Sequence, residues 1–433
     1  MEIKAIKQVS LTESISDLGS RHFYFLPGEI AEVEHAKYKV VKEQDITTPS
    51  PDRVKVICPI FYECGGCDFL HINYQKQLRM KEEYVSNLYK KERIPSKINS
   101  IAQSKQPKNY RHKVVLSATQ IKEKLRLGLY RENSKTVIPY LDCHIQDQEI
   151  NQLLKTVEKV LNDFKIPAYH IDREKGIIKH VMVRKSYATK DFMLIFVTHD
   201  YLLPNAKKII HEIIAKHPKV VTVIQNIHKK KTHLVLLDEE KILYGPGYIE
   251  DEIDDIKFKL SSKSFYQVNP VQMIELYHKA LELAQIKSTD IVMDTYSGVG
   301  TISLLAAKKA KHVIAIEANP NAHKDAVTNK KMNQISSITF IQSPVEDYIL
   351  NYQEKIDCLI MDPTRDGATK AFLDAILRLK PKRIVYISCE PTTQVRDVKS
   401  LLTHYNVEVV QPVDMFSQTI HVETITLLSL KTA

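Results

Sequence analysis

290-DIVMDTYSGVGTISLLAAKKAKHVIAIE-317 runs from a short apolar strand through a glycine turn into a helix, and out along a second apolar strand. Strands this apolar are buried on both faces, as in a parallel sheet covered by helices. The alternation continues through 320-PNAHKDAVTNKKMN-333, 338-ITFIQ-342, 356-IDCLIMD-362, 368-ATKAFLDAILRLK-380 and 383-RIVYIS-388. Two longer β runs, 406-NVEVVQPVDMF-416 and 420-IHVETITLLSL-430, end the sequence. The rhythm predicts an α/β fold, with a Rossmann-like C-terminal domain over 263–433.

In the turn, Gly298 and Gly300 let the backbone approach a ligand at the strand's carboxyl end. Glu317 ends the next strand, where a carboxylate can accept hydrogen bonds from a ribose diol. A dinucleotide fingerprint wants a third glycine, and position 303 is Ser. The D-x-x-x-G-x-G-T form suits S-adenosylmethionine better, with a plain turn as the bland alternative.

Cys389, in 383-RIVYISCEP-391, lies just past a buried strand's carboxyl end, in the crevice where open α/β sheets bind ligands. A free cysteine is more often a core residue. Against that stand polar Ser388 and Glu390, and Pro391, which stops the strand. A helix beginning near 392 would favour the thiolate through its N-terminal dipole, and Glu390 would oppose it. His421 and Glu423, in 421-HVET-424, are expected to point the same way on a terminal strand.

Working outward, 110–260 reads as a mixed α+β unit. Its strands are VVLSA, LRLGLY, GIIKHVMVRK, DFMLIFVT, VVTVIQNI and 232-THLVLLD-238, and its helices lie near 147–164 and 204–217. Before it come a charged amphipathic helix, 74-YQKQLRMKEEYVSNLYKK-91, and three cysteines, Cys58, Cys64 and Cys67. Residues 1–55 hold short strand-like runs, such as 29-EIAEVEHAKYKVV-41, broken by turn signals. The division expected is 1–55, 56–262 and 263–433, with helix 74–91 packing on the last unit.

Across 433 residues, 43% are hydrophobic and 26% charged, an ordinary globular balance. No apolar run approaches the roughly 20 residues of a membrane span, and the start has no signal-peptide pattern. A cytoplasmic protein without a membrane partner is expected. The formal charge is +10, spread over 108-KNYRHK-113, 121-IKEKLR-126, 228-HKKK-231 and 380-KPKR-383. Each cluster alone reads as a solvated face, but together they favour a polyanion such as RNA. Cys58, Cys64 and Cys67 with distant Cys143 make four thiolates, enough for structural zinc or a [4Fe–4S] cluster. Gly65 and Gly66 permit the tight loop between two of them.

Nine ordered segments together resemble the RNA uridine-5-methyltransferase family, in particular its iron–sulfur branch acting on 23S ribosomal RNA. They are 49-PSPDRV-54, 58-CPIFYECGGC-67, 142-DC-143, 244-YGPGYI-249, 264-SFYQVN-269, 294-DTYSGVGT-301, 362-DPTRDG-367, 387-ISCEP-391 and 419-TIHVET-424. The resemblance implies an S-adenosylmethionine-dependent methyltransferase domain, behind a small N-terminal OB-like unit of the TRAM type. It makes Cys389 the nucleophile and Glu423 the general base. Gln267, Tyr296, Gly298, Gly300, Glu317 and Asp362 would line the cofactor side, and Phe265, Gln267 and Asp362 the base. Cys58, Cys64, Cys67 and Cys143 would hold [4Fe–4S] rather than zinc, and the partner would be 23S ribosomal RNA met by a monomer. Without the family, Phe265 and Gln267 look like one face of a strand, and 362-DP-363 like a turn. Four positions depart from the family's usual residues: Ser297 for cysteine, Thr364 for proline, Glu390 for asparagine and Ser417 for proline. The rivals are a tRNA uridine-5-methyltransferase and a non-catalytic RNA-binding assembly factor that has kept the fold.

Overall fold

The computed structural model describes residues 1–35, 37–232 and 234–432. Ala36, His233 and Ala433, which fall within the expected segments 29–41, 232–238 and 263–433, lie outside them. At the N-terminus, β1 (Glu2–Gln8), β2 (Glu13–Ser16), β3 (Arg21–Phe23), β4 (Ile30–Glu32) and β5 (Ile46–Thr48) pair antiparallel in the order β3-β2-β1-β4-β5. Alternate residues Ile3, Ala5 and Ala31 turn inward onto Phe25 and Val41. Helix α1 (Tyr74–Lys91) follows, started by Asn73, whose side chain accepts from the Lys76 amide.

A second sheet is built from β6 (Lys113–Ile121), β7 (Lys124–Tyr130), β8 (Val137–Pro139), β9 (Ile178–Lys185), β10 (Phe192–Thr198), β11 (Val220–Ile227) and β12 (Glu240–Tyr244). Its order is β12-β11-β10-β9-β6-β7-β8. Helices α2 (Gln148–Asp163) and α3 (Ala206–Lys216) bury Leu153, Val157 and Ile213 in the core beneath it. The strand expected at 232–238 is displaced. Among the described residues of that stretch none is in a strand, and β12 begins at Glu240. The reason is the pairing partner: Asn226 takes the Leu237 carbonyl and amide on its side chain, so the ladder with β11 opens only at Glu240.

A hairpin of β13 (Tyr248–Ile253) and β14 (Ile256–Ser261) leads into α4 (Pro270–Ala284). Then come β15 (Ile291–Asp294), α5 (Thr301–Ala307), β16 (His312–Glu317), α6 (Pro320–Met332), β17 (Ile338–Gln342) and α7 (Val345–Asn351). The chain continues through β18 (Cys358–Met361), α8 (Lys370–Leu379), β19 (Arg383–Ser388), α9 (Pro391–Leu401), β20 (Tyr405–Val413) and β21 (Glu423–Leu430). The sheet order is β17-β16-β15-β18-β19-β21-β20, parallel through β19 and antiparallel at β21. Strand order therefore reverses between β15 and β18, which opens a ligand crevice at the carboxyl ends. Helix α1 packs against α9 and the β20–β21 connection. Its wholly buried Lys81 meets Asp414 at 2.5 Å, and Tyr89 donates to or accepts from Thr426 at 2.8 Å. No helix among the described residues is long and apolar enough to cross a membrane.

Candidate active site

Five chemically active groups fall on one edge of the C-terminal sheet because each ends or begins a strand there. In spatial order they are Glu317 on β16, Asp294 on β15, Asp362 just after β18, Cys389 just after β19 and Glu423 at the start of β21. Ser388 pairs with Thr424 across the antiparallel ladder. One step further, Cys389 leaves the sheet opposite the point where Glu423 enters it. Gln394 of α9 secures this corner. Its side chain donates to the Tyr386 carbonyl at 2.9 Å and accepts from Thr424 Oγ1 at 2.8 Å and Tyr89 Oη at 3.1 Å.

Glu423 is buried, at 2% exposure. Burial, then the charge of Asp362, push its carboxyl well above the usual range, with Arg365 pulling the other way. Asp362 is raised for the same first reason and by Asp294. The Cys389 thiol is raised to about 11 by burial, then by Glu423 and Asp362, while Arg365 lowers it by charge and by a hydrogen bond. Several acids and one guanidinium therefore share a corner that supports few negative charges at once. Glu390 is engaged at the start of α9. Its carboxylate caps α9, accepting from the Thr392 amide at 3.4 Å and hydroxyl at 2.6 Å, and the acids that raise the thiol are Glu423 and Asp362. His421 lies before β21, so it does not alternate with Glu423 along one strand as expected. Cys358 is the core cysteine: it is fully buried in β18.

At the other end of the edge, the Gly298 amide donates to Glu317 Oε2 at 2.8 Å. A Cβ at Gly298 would meet nothing within 4 Å, so the turn opens onto free space. Gly300 is favoured twice over: its φ is +85, and a Cβ there would lie 2.7 Å from Phe340. Two buried oxygens at the turn, Asp294 Oδ1 and Ser297 Oγ, have no partner. Asp294 is raised to about 7 by burial, and Ser303 donates to its other oxygen. Tyr296 is partly buried, packed edge-on against Phe372 at 5.9 Å.

Residues 264–269 form no strand, so Phe265 and Gln267 do not share a strand face. Phe265 is 65% exposed and Gln267 is buried. The segment is pinned from both sides, by Arg184 on the Ser261 and Ser264 carbonyls (2.9 and 2.6 Å) and by Asn269 on the Met415 carbonyl (2.8 Å). Sequence reasoning missed Arg365, Asp294 as a titrating group, and Tyr277, which is buried on α4 among Asp294, Asp362 and Glu423. Arg365 had a signal, standing three residues beyond Asp362 within a quoted motif. Tyr277 had none, because it reads as part of an apolar helix face.

Cys58, Cys64, Cys67 and Cys143 line one cavity of about 320 Å³, together with Arg111 and Lys113. Backbone amides point at three of the sulfurs: Ile60 at Cys58, Gly66 at Cys64, and Ile145 and Gln146 at Cys143. The two glycines leave room for close packing, since a Cβ on Gly66 would meet Cys64 Sγ at 3.3 Å and one on Gly65 the Glu132 side chain at 3.2 Å. Among the described residues, no three Cys, His, Asp or Glu side chains are close enough to hold a single ion.

A model of the tRNA (uracil-5-)-methyltransferase family matches residues 73–431. An uncharacterized RNA methyltransferase of Oceanobacillus iheyensis is 38% identical over 425 residues, covering 94% of this chain and 92% of that one. One from Staphylococcus aureus is 37% identical over 413 residues, covering 92% and 91%. Among solved structures, the Pyrococcus abyssi tRNA (uracil-54, C5)-methyltransferase in complex with S-adenosyl-L-homocysteine has the same fold, with a TM-score of 0.79. It is 23% identical, and the match covers 98% of this chain and 99% of that one. With a family match over most of its length and relatives this similar, the chain belongs to the tRNA (uracil-5-)-methyltransferase family and is an RNA methyltransferase.

Proposed function

We propose that this protein methylates carbon 5 of a uridine in 23S ribosomal RNA, with S-adenosylmethionine as donor, Cys389 as nucleophile and Glu423 as general base. The observation that carries the reading is the Ser388–Thr424 pairing, which sets thiol and carboxyl against each other at a ligand-binding edge. The glycine turn fits the donor: Gly298 faces open space, and the Asp294 and Ser297 oxygens lack partners. Glu317 would accept from its ribose, with Gln267, Tyr296, Gly300 and Asp362 around the remainder. When bound, S-adenosylmethionine supplies an electrophilic methyl group on a sulfonium.

Phe265, exposed and firmly anchored, offers a stacking face for a base flipped out of the RNA, at a cost of a few kcal/mol. The Cys389 thiolate adds to C6, and the C5–C6 π electrons move onto the ring carbonyl as an enolate that makes C5 nucleophilic. Arg365 beside the sulfur favours the thiolate. Once C5 carries the methyl group, Glu423 removes the C5 proton. Its raised proton affinity makes it a stronger base once its own proton has left. The C5=C6 bond re-forms and the thiolate leaves.

For the four cysteines we read a [4Fe–4S] cluster. A zinc ion, with Zn–S bonds of about 2.3 Å, draws its thiolates tightly together. The cavity here is broader and carries Arg111 and Lys113, which suit an anionic cluster. Such a cluster, when bound, ties residues 58–67 to Cys143. The division at 56 and 263 then separates an OB-like RNA grip, a cluster-bearing RNA-binding unit and the methyltransferase unit. All groups come from one chain, so a monomer in the cytoplasm suffices.

A tRNA substrate is the second reading, favoured by the names of the family and of the Pyrococcus protein. Mapping 5-methyluridine in ribosomal and transfer RNA from cells lacking the protein separates the two. Loss of at least one 23S uridine mark, not restored by a Cys389→Ala copy, is expected. Intact ribosomal RNA beside an unmethylated tRNA T-loop overturns the ribosomal assignment. No change in either leaves a non-catalytic RNA-binding protein.

A further inference from the structure

Between β20 and β21 the chain makes an irregular excursion, Asp414–Val422, before Glu423 enters the sheet. At its apex Gln418, buried at 5% exposure, has φ +69, a left-handed conformation that a non-glycine residue keeps only when its surroundings dictate it. Those surroundings are specific. The Gln418 carbonyl accepts two consecutive amides, Asp68 at 2.9 Å and Phe69 at 3.0 Å. Its own amide and side-chain oxygen pair with Gln77 of α1 at 3.2 and 3.0 Å. Two residues on, the Ile420 amide donates to Asp68 Oδ2 at 3.0 Å. Tyr110 holds the Ser417 carbonyl at 2.9 Å. Only His421 and Val422 then separate Ile420 from Glu423. The tethers at 417–420 thus come from the segment after Cys67, from Tyr110 and from α1.

We propose that Asp68, Phe69 and Gln77 clamp this excursion so that Glu423 is delivered in register for proton removal, and that Asp68 is the positioning residue. The inference rests on Glu423 being the base. An incidental surface acid would not bond the loop through both its amide and its carboxylate. The step at risk is the last one. Glu423 takes the C5 proton, the C5–H electron pair closes the C5=C6 bond, and the C6–S pair departs with Cys389 as thiolate. A displaced carboxylate slows this step and leaves addition and methylation intact, so a methylated protein–RNA adduct builds up. It also gives the cysteine segment a function inside the reaction: holding a loop rather than moving electrons.

The experiment compares full-length Asp68→Ala, Asp68→Asn, Gln77→Leu and Glu423→Gln with the parent. It measures kcat, KM for RNA, and the fraction of protein in a denaturant-stable methylated adduct at steady state. Asp68→Ala and Gln77→Leu should lose about 10-fold or more in kcat at unchanged KM, since a 1 Å misplacement can cost about 100-fold. Both should accumulate the adduct, as should Glu423→Gln. Asp68→Asn keeps an acceptor for the Ile420 amide and should restore turnover. If Asp68→Ala fails to fold, Gln77→Leu carries the same expectation from outside the cysteine segment. Stalled Glu423→Gln beside clamp variants with parental kcat, or with lowered kcat and no adduct, overturns the clamp. Normal turnover in Glu423→Gln overturns the base assignment instead, and the clamp with it.

Discussion

Cys389 is held protonated in the free protein by its own neighbours. With its pKa raised to about 11 by burial and by Glu423 and Asp362, little of it is thiolate near neutrality. Iodoacetamide should therefore alkylate Cys389 more slowly at pH 7.5 than an ordinary exposed thiol, with a rate that climbs towards pH 11. At alkaline pH, where Glu423 is ionised, Glu423→Gln should speed that alkylation by removing a negative neighbour, and removing the cation in Arg365→Met should slow it, as mass spectrometry of the labelled peptide would report. Glu423 has a linked signature. A carboxyl whose folded pKa is raised keeps a proton that the unfolded chain has released, so stability falls as pH rises above the ordinary carboxylate range. Glu423→Gln should melt higher than the parent at pH 8.5, by about 2 °C or more, and the difference should vanish near pH 4. The departures Glu390 and Ser417 also find their roles at this scale. One caps α9, and the other donates to Asp414 at 2.5 Å.

At the level of elements, α1 matters most, because a helix from the N-terminal half buttresses the catalytic sheet. Lys81, Tyr74 and Ser417 converge on Asp414, and both members of the ion pair are fully buried. Taking away one partner leaves the other charge stranded, which costs about 3–5 kcal/mol. Lys81→Met should show a loss of that size in urea unfolding. The bounds of α1 were legible because Asn73 caps it and its apolar positions recur at helical spacing. β12 was not legible: 232-THLVLLD-238 is more apolar than 240-EKILY-244, yet the side chain of Asn226 occupies the Leu237 backbone groups and delays pairing. An apolar run shows what prefers burial but not which backbone it will meet.

Over the whole molecule, the cysteine cavity and the catalytic edge lie at the two ends of one hydrogen-bonded path through Asp68 and Gln418. On the proposed cluster reading, Cys143→Ser should lower iron content, measured by absorbance and metal analysis, and should reduce the melting temperature by unlinking residues 58–67 from the central sheet. A net charge of +10 makes RNA binding an exchange of counterions. The affinity of catalytically dead Cys389→Ala for RNA should fall steeply with salt, on a straight log–log plot.

Strand rhythm, the glycine turn and the order of the nine motifs were local properties, and the amino-acid sequence by itself determined the α/β class and the family and singled out Cys389 and Glu423 as the candidate reacting groups. Proton affinities were beyond its reach, since they depend on which charges share a desolvated corner. So was Tyr277, brought to that corner by the packing of α4. Tertiary structure alone decided that the excursion leading to Glu423 is held by residues some 350 positions away in the chain, Asp68 and Gln77, because the left-handed turn at Gln418 needs partners that only packing can bring to it.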